Sequence, residues 1–175
     1  LLPRTLSPER LAVIENYCEP PEMENHLDMI YIDYDTQTGL LDVEDLRRKI
    51  SAKTAAVYFE NPAYLGFIEP QGTTIADIAR ANGAETIVGV DTISLGVLAA
   101  PTDYGADIVV GTTQPLGVHM NCGGGCTGFI ATRDEVKYVG EYPTFLISIT
   151  NTLKEGEFGF GLSSEHQTSY GLRDK

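Results

Sequence analysis

A chain of 175 residues, 42% hydrophobic and without tryptophan, has the size of one ordinary core-forming domain. Its formal charge of -13, with 25 acidic against 12 basic residues and no dense Lys/Arg cluster, excludes a surface that tracks nucleic-acid phosphates. No apolar run is long enough to cross a bilayer, and the opening LLPRTLSPER lacks a basic segment followed by an apolar one, so a cytoplasmic protein away from membranes is expected.

The first predicted element is a helix over SPERLAVIENYC, with Ser7 as cap and Pro8 at the first helical position. MIYIDYD, residues 29 to 35, reads as a strand. In GLLDVEDLRRKIS, Asp42 caps a helix whose first turn carries Glu44 and Asp45 and whose end carries Arg47, Arg48 and Lys49, matching the helix dipole; Leu41, Leu46 and Ile50 form its apolar stripe. AAVYFE, residues 55 to 60, is the next strand. GTTIADIARANG then reads as a helix capped by Thr73 or Thr74, with Ile75, Ile78 and Ala79 inward and Asn82-Gly83 as the stop. Three more strands follow: TIVGVD (86 to 91), DIVVGT (107 to 112) and TGFIAT (127 to 132).

Beyond Arg133 the periodicity weakens to one short helix near Asp134 to Tyr138, and residues 141 to 175, rich in Gly, Ser and Thr, are expected to be an irregular or interface-forming extension of a core spanning 1 to 140. The strands are nearly continuous apolar runs, as strands covered on both sides must be. The fold expected is α/β, a mostly parallel sheet with helices on both faces. The ends suit an autonomous domain poorly, so a fragment or one piece of a larger assembly is expected.

Cys18, Cys122 and Cys126 are an odd number at spacings that fit no disulfide framework, so reduced thiols are expected. HMNCGGGC offers His119, Cys122 and Cys126 as metal ligands on one reading and small residues packing a turn on the other. With no second ligand pair downstream, no metal site is expected.

In open α/β sheets ligands bind beyond the carboxyl ends of the strands. Here these ends are Glu60-Asn61-Pro62, Asp91 to Ser94, Gly111 to Gln114, and the turn from Gly117 to Gly125. Asn61 can point its amide into a cleft. Asp91, closing an apolar strand, is either a partly desolvated carboxylate in need of a cation or the cap of the next turn. Gly123 to Gly125 either cradle an anion or make a tight crossover. No G-x-S-x-G elbow, Walker loop or dinucleotide fingerprint is present, and nothing lowers a thiol pKa near His119.

AAVYFENPAYLGFIE, GVDTISLGVLAAPTDYGADIVVGTTQPLGVHMNCGGGCTGFIATRDE and, more weakly, GEFGFGLSSEHQ resemble the first (alpha) subunit of glycine dehydrogenase (decarboxylating), the P-protein of the glycine cleavage system. The resemblance implies the aspartate-aminotransferase-like large domain of pyridoxal-phosphate enzymes of fold type I. It also implies a reaction in which glycine, bound as an imine to pyridoxal phosphate, loses CO2 and passes its aminomethyl group to the lipoyl arm of the carrier H-protein.

In such folds an aspartate at a strand end meets the pyridinium, and a lysine one strand later holds the cofactor. Asp91 takes the first place, whereas the second falls at Gln114-Pro115. Lys49, Lys53, Lys137, Lys154 and Lys175 lie elsewhere in the sequence, so this chain is expected to have no catalytic residue of its own and to be inactive alone. The cofactor and its lysine then belong to a beta subunit. Asp91, Asn61, Ser94 and His119, with Tyr64, Gln114 and Asn121, are the candidates for lining a vestigial cofactor site, the interface or the lipoyl channel; the alternative is that they only satisfy turns. Rival readings are a noncatalytic scaffold subunit and a fragment of another pyridoxal-phosphate transferase.

Overall fold

A computed structural model describes residues 1–21, 24, 27–124, 127–142 and 147–162. It divides into two compact units, Leu1–Ala131 and Thr132–Lys175. The first contains β1 (Leu2–Pro3), α1 (Pro8–Cys18), β2 (Tyr31–Ile32), α2 (Val43–Lys49), β3 (Ala56–Asn61), α3 (Gly72–Ala81), β4 (Glu85–Asp91) and β5 (Ile108–Thr112); β6 (Gly128–Thr132) runs to its boundary. The second contains α4 (Val136–Val139), β7 (Ile147–Asn151) and β8 (Phe158–Leu162).

The main sheet has the order β3-β4-β5-β6, with β3, β4 and β5 parallel. Because side chains alternate along a strand, the register sorts every residue onto a face. Val57 and Phe59 of β3, Val88 and Val90 of β4 and Val109 of β5 point one way, where Leu46 of α2 and Ile75, Ile78 and Ala79 of α3 bury them. Tyr58, Ile87 and Val110 point the other way, toward Leu11 and Ile14 of α1. Helices thus cover both faces, as expected from strands without an alternating polar side.

The helix signals at α1 and α2 hold: Ser7 accepts from the Arg10 N–H, and Asp42 accepts from the Glu44 and Asp45 N–H groups. At α3 the expected threonine cap is wrong. The helix starts at Gly72, and Gln71 stands at the cap without a side-chain cap bond; its own N–H is held by the Glu69 carboxylate at 3.0 Å.

The strand expected over 29–35 is also corrected. Only Tyr31–Ile32 is strand, paired in parallel with Leu2–Pro3 rather than entering the main sheet. Side chains of α2 take the backbone groups that a longer ladder would need: the Asp33 N–H donates to Asp45 Oδ2 at 2.9 Å, and Lys49 Nζ donates to the Tyr31 carbonyl at 2.7 Å. Asp35 then opens a turn, accepting from the Gln37 N–H.

The extension expected to be irregular holds an antiparallel hairpin, β7–β8. Ile147, Ile149, Phe158 and Phe160 are exposed on one side of it, and in β8 glycine alternates with phenylalanine in FGFG, so there the other half of the period carries no side chain. Residues 163–175, including the rest of GEFGFGLSSEHQ, lie outside the described residues.

Candidate active-site cleft

At the carboxyl ends of β3, β4 and β5, on the α1 face, lies an open cleft of about 330 Å³. Ser7 and Arg10 enter it from the start of α1, Glu60 from β3, Gly89 and Asp91 from β4, and Thr112 from β5. The register explains the set: Glu60 faces Gly89, and Asp91 faces Thr112, all at positions of equal parity. Pro62 and the exposed Tyr64 complete one wall.

Of the group that forms one wall of this cleft, the sequence patterns single out Glu60 only as part of a strand end, and neither Arg10 nor Tyr58. Glu60 is buried, with 6% exposure, and its carboxylate forms an ion pair with Arg10 Nη1. The Tyr58 hydroxyl donates to Glu60 Oε1 at 3.2 Å and lies 3.3 Å from Arg10 Nη1. Burial, then the neighbouring Glu60 charge, pushes the Tyr58 hydroxyl up to about 12, so it stays protonated as a donor. Gly89 makes room for the group: a Cβ there would stand 2.3 Å from Tyr58 Oη. The signal available in the sequence is a glutamate inside the apolar run AAVYFEN, two residues after a tyrosine and so on its face; the helical partner 50 residues earlier leaves no local trace.

The expected site residues separate in space. Asp91 reaches the cleft but is exposed, and its Oδ1 accepts the Ile93 N–H at 3.2 Å. It is a turn cap and not a desolvated carboxylate, because the strand ends at the sheet margin in contact with water. Ser94 belongs to the same turn, its Oγ donating to the Asp91 carbonyl at 2.7 Å. Asn61 does not aim its amide at the cleft. Parity places it on the α2–α3 face, where its Nδ2 donates to the Glu69 carbonyl at 3.3 Å and its Oδ1 accepts the Glu69 N–H at 3.2 Å.

That reciprocal pair pins the 62–69 loop. Asn61→Ala is expected to cost about 1–3 kcal/mol, since it leaves two buried backbone groups without partners, and the loss is read as a lowered urea midpoint. An unchanged midpoint would mean the loop is held by other contacts.

Gln114 and Pro115 form a short 3-10 turn, Gln114–Leu116, after β5. The Gln114 amide is turned inward, Nε2 donating to the Val118 carbonyl at 3.0 Å, and its buried Oε1 accepts no hydrogen bond among the described residues. His119 and Asn121 are exposed beyond it. The Gly123 and Gly124 N–H groups both bond back to the Met120 carbonyl, so the glycine turn closes on itself and the anion-cradle reading is withdrawn. Gly125 and Cys126 lie outside the described residues.

The α/β architecture is that of part of a fold type I pyridoxal-phosphate enzyme, as a structural match shows. A crystal structure of glycine decarboxylase (P-protein) of the glycine cleavage system, in inhibitor-bound form, superposes with a TM-score of 0.77 at 32% identity over 99% of this chain and 37% of that one. Cystathionine gamma-lyase from Lactobacillus plantarum, complexed with L-serine, shares the fold alone, with a TM-score of 0.54 at 23% identity over 75% of this chain and 31% of that one. The profile of the glycine cleavage system P-protein family matches residues 1–168.

The chain belongs to that family. Among curated relatives, the probable glycine dehydrogenase (decarboxylating) subunit 1 of Staphylothermus marinus is 39% identical over 153 residues, 87% of this chain and 32% of the relative. The protein of the same description from Pyrococcus abyssi is 36% identical over the whole chain and 37% of its own length. The chain spans about a third of the length of the curated relatives it matches.

The cofactor implied by the family does not fit the cleft formed here. Among the described residues no lysine lines it, Asn61 faces the opposite side of the sheet, and Asp91 is engaged by its own turn.

Proposed function

We propose that this chain is part of a subunit 1 of a glycine dehydrogenase (decarboxylating), and that it shapes the active site of a second subunit which carries pyridoxal phosphate and the lysine that binds it. The substrate on this reading is glycine, decarboxylated with transfer of the aminomethyl group to a lipoyl carrier protein. What supports it is the match to the P-protein fold, together with the resemblance, which puts the lysine's place at Gln114-Pro115; there the glutamine Nε2 donates to the Val118 carbonyl. A primary amine is indispensable for imine formation, and neither residue supplies one.

A second observation supports assembly with a partner. The loops that follow β3, β4 and β5 expose Tyr64, Leu65 and Ile68, then Ile93 and Val97, then Leu116 and Met120. Large apolar groups gathered along one edge of a sheet are what an interface buries.

The test is reconstitution with the second subunit, scored by glycine-dependent exchange of labelled CO2. His119→Ala and Gln114→Ala are each expected to lower the exchange rate about tenfold with assembly intact, the size of one lost positioning hydrogen bond. The scaffold reading is favoured by one feature, the consumption of Asp91, Ser94 and Asn61 by the chain's own turns. Unchanged exchange rates in both variants would establish it instead.

A further inference from the structure

The geometry points to a ligand site of this chain's own: the open cleft at the sheet end binds a small α-amino acid as its zwitterion, the carboxylate on Arg10 and the ammonium on Asp91. Both side chains line one cleft of about 330 Å³, at the small end of ligand cavities, yet no ion pair joins them. Arg10 is anchored without being used up. Its Nη1 is taken by Glu60 and Tyr58, while Nε and Nη2 make no hydrogen bond among the described residues, and the side chain is 47% exposed. The anchor fixes where those free donors stand, which lowers the ordering cost of using them. Asp91 is placed in the same way: Oδ1 accepts the Ile93 N–H, and Oδ2 accepts no hydrogen bond among the described residues.

The spacing selects the ligand. Arg10 Nη1 lies 3.4 Å from where a Cβ on Gly89 would stand. Asp91 follows two residues along the same face, about 6.6 Å away at the rise of a parallel strand, and Gly89 puts no side chain between them. Two charge-assisted hydrogen bonds of about 2.8 Å, joined through one carbon that carries both an ammonium and a carboxylate, bridge a gap of that size. A lone cation gains only Asp91, and a lone anion gains only Arg10 with Glu60 and Asp91 set against it. The hydroxyls that line the cleft are committed elsewhere: Ser7 Oγ accepts the Arg10 N–H and donates to Glu9, and Thr112 Oγ1 donates to the Thr127 carbonyl.

The test is titration of glycine, the smallest such zwitterion, into the purified full chain with neither second subunit nor cofactor present. Binding is followed by NMR at the Gly89 and Asp91 amides and at the Arg10 Nε–Hε signal. Saturable shifts with a Kd of about 1 mM are expected. Methylammonium and acetate each carry one of the two charges and should bind at least about tenfold more weakly, because joining the halves makes the second contact intramolecular. Asp91→Asn keeps an acceptor for the Ile93 N–H and removes only the charge. It should weaken glycine binding at least about tenfold, as should Arg10→Met/Glu60→Gln, which removes both charges of the anchored pair together.

Absence of saturation by glycine up to about 100 mM overturns the inference. So does methylammonium or acetate binding as tightly as glycine, which would make the cleft a site for one charge only, and so does an Asp91→Asn variant that binds as the wild type does. If the double variant does not fold, Asp91→Asn and the two half-ligands decide. The inference goes beyond the proposed function and does not rest on it: with no partner present its failure leaves the assignment of the cofactor lysine to the second subunit standing, and a cofactor lysine found on this chain would leave the binding measured here standing.

Discussion

Phe59→Ala is expected to remove about 3–5 kcal/mol of stability, the range for deleting a buried phenyl ring. Phe59 is 2% exposed, points to the α2–α3 face and sits with its ring centroid 6.3 Å from that of Tyr104. Val57, Val88, Val90, Ile75 and Leu46 belong to the same cluster, and they hang from the sheet and two helices, which do not collapse freely into a cavity. Since a domain of this size is stable by about 5–15 kcal/mol, the loss is about a fifth of the total or more. The measurement is a urea transition with a lower midpoint and an unchanged slope. Val97→Ala is the control: the residue is 90% exposed and its change should stay within about 0.5 kcal/mol. A Phe59→Ala loss below about 1 kcal/mol would place the core elsewhere.

Asp45 gives the expected pH effect on the acid side. Its carboxylate, 4% exposed, accepts the Asp33 N–H at 2.9 Å and lies 2.6 Å from Lys49 Nζ and 3.0 Å from Arg48 Nη2. The backbone donor first, and the lysine next, hold it at about 2, below its ordinary 3.8. A carboxyl group whose pKa is lower in the folded state stabilises the fold above its unfolded pKa, and the contribution disappears as pH falls through the folded one. The window is therefore about pH 4 to 2. After allowance for water around Arg48 and Lys49, the contribution is about 1–2 kcal/mol. Asp45→Asn keeps an acceptor for the Asp33 N–H but removes the charge, so it should lower stability at neutral pH by that amount and flatten the curve below pH 4. Parallel curves for both proteins across that window would show that Asp45 carries no such linkage.

Local signals announced most of the framework and little of the cleft. Strands β3 to β6 were readable because each is an apolar run with turn residues at its ends, and α2 because Asp42 and the charges at its two ends mark both termini. The failures share one cause, competition from distant groups. Tyr31–Ile32 loses its continuation to the side chains of Asp45 and Lys49, and α3 starts early because Glu69 holds the turn before it. Asn61 misled because its strand-end position suggests a role that its parity denies. The Arg10–Tyr58–Glu60 group was invisible because ion pairs across 50 residues have no periodicity. In the β7–β8 hairpin, β8 was hidden by glycines that contribute strand but no pattern.

The central claim is that this chain offers no amine to the cofactor and that its partner does. Borohydride reduction of the reconstituted complex, loaded with pyridoxal phosphate and mapped by peptide mass spectrometry, tests it directly. One stoichiometric phosphopyridoxyl-lysine on the second subunit, and none on this chain, is the result predicted. A stoichiometric label on a lysine of this chain would contradict it.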